Sequence, residues 1–268
     1  MNKFLLSLAL LAPQGTKADS CPLPHSSGTV RFAGGTAHIP LIEELGQGLR
    51  KKCPGLRFLL AGGGSGVGVQ KLSAGLVDIA NTGRPLSDAE RKKGGLKSYP
   101  LASDAMVMIV HPSNAISDIS LSELQTMFAA EPPRWPTNTN PTHIFVRDEA
   151  SGTQEVFMQL VMRGKKISRQ AHYTSSHGAM KLAVSRDPQA IGFLSFAYVD
   201  EQVKALSIGG TAPTRQNMVN GLYPLMRTLF VNVKETPSPL ASDVISFLLG
   251  PETKALLEKH GFLPPPLG

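Results

Sequence analysis

Apolar positions along this chain switch repeatedly between two spacings. Thr29-Val30-Arg31-Phe32-Ala33 is a short run of strand formers, after which Ile39, Ile42, Leu45 and Leu49 recur at helical spacing as far as Gly55. A second apolar run, Leu56–Ala61, leads into Val69, Leu72 and Leu76, again at helical spacing, and Val77-Asp78-Ile79-Ala80 makes a third run. Asp88-Ala89-Glu90 opens another helical stretch, and Ala105–Val110 is continuously apolar, as a strand covered on both faces should be. A β-α-β-α-β series of this kind predicts a parallel sheet with right-handed crossovers.

The character changes at His111-Pro112-Ser113-Asn114. Leu121, Leu124 and Phe128 mark a short helix, residues 131–142 form a loop rich in Pro, Asn and Thr, and Ile144-Phe145-Val146 is a new strand. Ser151 with Gln154 has the spacing of a capping box, 178–185 reads as helix and Ala190–Leu194 as strand. Leu229–Val233 is a further strand, and residues 242–260 hold one or two amphipathic helices. The expected architecture is α/β with two lobes: 19–112 plus 223–268 in one, 113–222 in the other, and a cleft between them. The crossovers are expected at 111–116 and about 205–225.

Composition narrows the class without choosing a function. The chain has 268 residues, 41% hydrophobic and 18% charged, enough to bury a core. Residues 1–18 read as an export signal: Lys3 precedes the apolar stretch Phe4–Ala12, which is too short to span a bilayer, and Thr16-Lys17-Ala18 resembles a cleavage site. The remainder is expected outside the cytoplasm, with a lipid anchor through Cys21 as the alternative. Cys21 and Cys53 are the two cysteines; they precede two strand candidates and could pair, or stay as separate thiols. Two cysteines without clustered histidines do not make a metal site, and no cofactor is expected.

The net charge of +7, which becomes +5 without residues 1–18, favours an anionic partner. Nucleic acid does not fit, because the basic residues are scattered and aromatics make up 6%. Arg50-Lys51-Lys52 and Arg91-Lys92-Lys93 are expected on solvated helix ends.

Three turns carry the candidate chemistry. Gly34-Gly35-Thr36-Ala37, Gly62–Gly68 around Ser65, and Arg147–Thr153 each join a strand to a helix and put Ser or Thr at the helix start. Free backbone N–H groups and the helix dipole attract anions there, and Arg147 adds a planar cation, unless Asp148 or Glu149 pairs with it. The glycine-rich turn matches neither Gly-x-Gly-x-x-Gly nor the Walker pattern. A serine hydrolase lacks its Gly-x-Ser-x-Gly elbow, and His38 reads as a partly exposed helix residue, not a base. No catalytic residue is assigned.

Taken together, Ala33–Thr36, Gly64-Ser65-Gly66, Asp78–Leu86, Arg147–Thr153, Ala190–Phe193 and Tyr223-Pro224-Leu225 resemble the phosphate-binding proteins of high-affinity phosphate ABC importers. These are type II periplasmic binding proteins, and the Arg-x-x-x-Ser-Gly-Thr element is the most diagnostic part. The resemblance implies a non-catalytic, monomeric carrier that binds inorganic phosphate or a related oxyanion and hands it to an ABC-transporter permease. The implied ligand contacts are Thr36, Ala37, Ser65, Arg147, Ser151, Gly152 and Thr153, with Gly35, Gly64, Gly66, Thr82, Arg84 and Asp104 as a secondary set. One position departs from the family pattern: Gly83 stands where an aspartate accepts the phosphate proton, which weakens discrimination unless Asp104 or Glu149 substitutes, with Thr82 in a lesser accepting role; phosphate leads, with sulfate, arsenate or another tetrahedral oxyanion behind it. An anion-sensing module of the same fold is the alternative function, and a phosphate-ester hydrolase a second one.

Overall fold

The computed structural model describes residues 20–136 and 140–265. The expected export signal, 1–18, lies outside the described residues. In chain order the main elements are β1 (Gly28–Gly34), α1 (Ile39–Lys52), β2 (Leu56–Gly63), α2 (Gly64–Ser73), β3 (Ile79–Thr82), α3 (Asp88–Gly94) and β4 (Leu96–Val110). After these come β5 (Asp118–Ile119), α4 (Leu121–Ala129), β6 (His143–Arg147), α5 (Gly152–Phe157), β7 (His172–Thr174), α6 (His177–Ser185) and β8 (Ala190–Ser195). The chain finishes with β9 (Lys204–Ala205), β10 (Ser207–Ile208), α7 (Arg215–Val219), β11 (Met226–Lys234), α8 (Pro239–Leu248) and α9 (Lys254–Lys259).

The principal sheet has the order β2-β1-β3-β11-β4-β8-β6-β7, with β9 also on β4. Parallel pairing holds toward each edge, β2-β1-β3 on one side and β8-β6-β7 on the other. The antiparallel pairs gather where the two halves join. There β4 runs unbroken from one half to the other, pairing with β11 through Ala105 and with β8 from Met106. Its apolar run explains this continuity: Ala105–Val110 are all buried, so both faces are covered, as the hydrophobic pattern required. Pro100, which has no N–H to give a ladder, sits where the β4–β11 register shifts.

Each half has its own core. In the first, Phe32, Leu41, Ile42, Ile79, Val231 and Val244 pack between the sheet and helices α1 and α8. In the second, Phe128, Phe157 and Phe193 form a ring cluster, with Phe157 and Phe193 stacked 4.2 Å apart. That stack ties α5 to β8 and so fixes the start of α5, where Ser151 stands. The basic triplets 50–52 and 91–93 end α1 and α3 on the exposed surface, where cations complement the helix dipole.

Cys21 and Cys53 form a disulfide with a Cα–Cα distance of 5.0 Å. The parallel register of β1 and β2, Gly28 opposite Leu56, brings both chain segments to one end of the sheet. Closing a loop across this separation of 32 residues stabilises by about 2–4 kcal/mol. Cys53→Ala is therefore expected to lower the urea midpoint with an unchanged dependence on anion, measured by denaturation with and without reductant. Equal midpoints for the two proteins under non-reducing conditions would contradict that role.

Candidate functional site

The three turns meet at the join between the halves, but their hydroxyls do not all cap helices. Ser151 does, accepting the N–H of Gln154 at 3.3 Å. Gln154 does not close the expected box; its Oε1 accepts the backbone N–H of Arg147 at 3.0 Å. Thr36 opens a single turn, Thr36–His38, ahead of α1 and caps nothing. Ser65 lies inside the first turn of α2, behind an N-cap at Gly63, and makes no cap either. An oxygen carried within a turn cannot reach that turn's own free N–H groups. Both hydroxyls are engaged instead by distant segments: Thr36 Oγ1 accepts from His177 N at 3.3 Å, and Ser65 Oγ from Gly83 N at 3.0 Å.

A small buried cavity lies between these turns. All seven residues of the first expected set, Thr36, Ala37, Ser65, Arg147, Ser151, Gly152 and Thr153, line it. Of the secondary set, Gly35 and Gly64 line it and four residues do not. Gly66 gives its N–H to Ala150 O at 3.0 Å, and Thr82 donates to Arg84 O at 2.8 Å. Arg84 is drawn outward by Glu90, at 2.7 Å from both guanidinium Nη atoms, and by Glu155 of the other half at 2.5 Å. Asp104 lies behind the wall. Gly64 allows the halves to approach closely: its φ is +84°, and a Cβ there would stand 2.4 Å from Ala150 O.

Hydrogen-bond accounting gives the chemical character. Thr36, Ser65 and Ser151 each already accept one protein N–H, and each keeps its own proton to give. Thr153 Oγ1 receives two contacts, Arg227 Nη1 at 2.6 Å and His177 Nε2 at 3.3 Å. His177 Nδ1 accepts the N–H of Ser195 at 3.2 Å, so in the neutral ring Nε2 carries the proton. Burial, with the charges of Arg147 and Arg227, holds His177 well below the usual histidine range, and the ring is neutral. With both lone pairs of Thr153 Oγ1 taken, its proton too is available only for donation. Four hydroxyls thus converge as donors.

Two arginines complete the site, and they differ in kind. Arg227 is held by Asp104, which accepts Nε at 2.9 Å and Nη2 at 2.7 Å and also the hydroxyl of Ser195 at 2.7 Å. Burial pushes the Asp104 carboxyl up, while Arg227 and these hydrogen bonds oppose that. Arg147 is 1% exposed and makes no carboxylate ion pair among the described residues, neither with Asp148 nor with Glu149. Its guanidinium instead donates to the carbonyls of Thr174 at 3.1 Å and Ser175 at 2.9 Å. Burial lowers its pKa to about 10, which leaves it charged at neutral pH.

His38, expected as a partly exposed helix residue, is fully buried instead, with Nδ1 3.3 Å from Gly35 O and Nε2 3.1 Å from Phe230 O. Burial and the neighbouring Arg227 bring its pKa down to about 3. It sits in the turn before α1, not on that helix's outer face, and the turn is covered by β11. Gly83, Arg227 and His38 line the cavity beyond the expected set. Arg227 leaves no local mark in the sequence; its partners Asp104 and Thr153 are remote along the chain.

A family model described as a PBP superfamily domain matches residues 22–252. The chain is 28% identical to the phosphate-binding protein PstS of Bacillus subtilis over 250 residues, covering 89% of this chain and 81% of that protein. It is 29% identical to protein SphX of Synechococcus elongatus over 295 residues, 99% of this chain and 87% of that one. Among solved structures, a Clostridium perfringens chain described as a phosphate ABC transporter substrate-binding protein with bound phosphate superposes with a TM-score of 0.81 at 25% identity. The match covers 88% of this chain and 99% of that one.

Proposed function

The chain belongs to the PBP superfamily, and we propose that it is an exported, non-catalytic solute-binding protein that captures inorganic phosphate, or a closely related oxyanion, for an ABC importer. One observation carries this reading: a buried guanidinium, Arg147, without a carboxylate partner among the described residues, beside hydroxyls that already accept protein N–H groups and keep their own protons to give. A buried charge is costly unless something compensates it, and a small anion bonded to all four hydroxyls would do so. The names of the relatives support the choice of phosphate. In this reading the lobes are 19–112 with 223–268, and 113–222, with β4 passing between them, and the carrier is a monomer that meets a membrane permease.

Contacts across the cleft support capture by closure. Besides His177 N to Thr36 Oγ1, Tyr198 gives its phenol proton to Thr36 O at 2.8 Å, and Arg84 pairs with Glu155. A ligand that bonds residues of both halves favours the closed arrangement. Hydrolysis finds less support, because a nucleophilic serine needs a positioned base, while Ser65 and Ser151 receive backbone N–H groups and His177 has spent its accepting nitrogen on Ser195. Among the described residues no helix is long and apolar enough to cross a membrane.

Calorimetry of the 19–268 form with phosphate tests the proposal. Saturable binding is expected, and Ser65→Ala and Ser151→Ala should each weaken it by roughly ten- to a hundredfold, about 1.5–3 kcal/mol for a hydrogen bond to a charged group. Absence of heat with phosphate and with sulfate at millimolar concentration would remove the proposal.

A further inference from the structure

We infer that the end of the first half farthest from the cavity, rich in basic side chains and tipped by the exposed Leu76, is a docking surface for an anionic lipid bilayer. The inference does not depend on the anion-capture reading. Sheet topology gathers this surface. β1, β2 and β3 run parallel toward the cavity, and each is followed directly by a residue of its wall, Gly35, Gly64 or Gly83. Their starts therefore lie at the opposite end. β11 is antiparallel to β3 and β4, which puts its last residue, Lys234, opposite Leu96, the first of β4, at that same end. Three helices bring their C-termini there, because α1 leads into β2, α2 into β3 and α3 into β4. Lys234 Nζ ties two of them together, donating to Ser73 O at 2.7 Å and Gly94 O at 3.2 Å.

The charges collected in this way are mostly positive. The triplet 50–52 arrives on α1 and 91–93 on α3, and Arg57 and Lys97, both exposed, come from β2 and β4. A helix dipole accounts for either triplet alone, but not for cations on strands at the same end. The acidic residues on the segments that meet here offset little of this charge. Asp78 accepts the backbone N–H of Arg31 at 2.8 Å and lies 3.8 Å from its guanidinium. Asp243, near the start of α8, is 2.7 Å from His25 Nδ1, and Glu235 is exposed.

One apolar side chain stands among the cations. Leu76 follows the turn that ends α2, is 65% exposed, and comes directly after Gly75 at φ +71°. Ser73 and Ala74 beside it are exposed too. Cations at one end with a projecting leucine fit a bilayer, where lipid phosphates meet the charges and the leucine enters the headgroup boundary. An acidic protein would answer the charges and leave the leucine without a role. The Cys21 sulfur is bonded to Cys53, so this contact is made by side chains and not by a lipid on that cysteine.

The measurement is co-sedimentation of the 19–268 form with vesicles of phosphatidylcholine, alone or with about 30% phosphatidylglycerol, at about 50 mM and about 500 mM salt. At the lower salt, binding to the anionic vesicles is expected to be at least about tenfold tighter than to the neutral ones, and to be lost at the higher salt. A basic residue at such a surface contributes about fivefold, so Lys92→Glu with Lys93→Glu should weaken binding by at least about tenfold. Lys165→Glu with Lys166→Glu makes the same change in net charge at exposed positions of the other half and should stay within about threefold of the parent. Leu76→Ser should cost at least about threefold. Melting temperatures identify any variant that fails to fold.

Equal binding to neutral and anionic vesicles, or no sedimentation at the lower salt, overturns the inference. A loss in the Lys165 and Lys166 variant as large as that in the Lys92 and Lys93 variant also overturns it, because net charge and not this end would then be responsible. Unchanged binding in Leu76→Ser overturns it as well and would point to an acidic protein as the partner.

Discussion

Asp104→Ala is expected to cost about 3–5 kcal/mol of stability, the usual effect of deleting one partner of a buried ion pair. The carboxylate is 1% exposed and Arg227 almost as deeply buried, so water cannot replace the lost interactions. Arg227 would then be a second uncompensated guanidinium in the cavity that Arg147 already shares, and Ser195 would lose its acceptor. For a chain of this size the melting temperature should fall by roughly 6–20 °C. Phosphate should recover more of that loss in the variant than it adds to the parent protein, because the ligand would supply the missing negative charge. Thermal melts of both proteins with and without phosphate check this. A fall of less than about 2 °C would mean that Arg227 does not depend on Asp104.

That arrangement also shows where sequence reading stops. Local features were legible: the glycine-rich turns, the apolar runs, the Arg-x-x-x-Ser-Gly-Thr element and the convergence of Thr36, Ser65 and Ser151 on one cavity. The apolar run Ala105–Val110 identified a doubly covered strand, because burial on both faces leaves a continuous signal. What the pattern could not give was pairing over distance. Periodicity does not tell whether β4 is parallel or antiparallel to its neighbours, and it says nothing of a partner change in mid-strand. Thr36 and Ser65, expected as hydroxyls at helix starts, are tied to distant segments that periodicity cannot reveal: their donors are His177 and Gly83. His38 looked like a surface residue on a helix and is buried, because β11 covers the turn that carries it. Asp104 was a candidate to stand in for the aspartate missing at Gly83, and the structure commits both its oxygens elsewhere.

Arg147→Ala should behave in the opposite way to Asp104→Ala, losing the ligand and little of the fold. Of the two arginines that line the cavity, Arg227 is paired with Asp104 and Arg147 has no carboxylate partner among the described residues, so in the proposed complex its charge is answered by the anion. Removing it should weaken phosphate by at least a hundredfold, about 3–5 kcal/mol for truncating one side of a buried charge pair. Stability responds differently. The variant loses two bonds to the carbonyls of Thr174 and Ser175, but it also loses a desolvated charge, and these contributions offset each other. The ligand-free melting temperature is expected within about 3 °C of the parent, and the rise on adding phosphate should vanish. Arg147→Met, which keeps most of the side-chain volume, separates loss of charge from loss of packing and should give the same pair of results. A large fall in ligand-free stability with phosphate affinity retained would make Arg147 a structural residue and would remove the observation on which the proposed function rests.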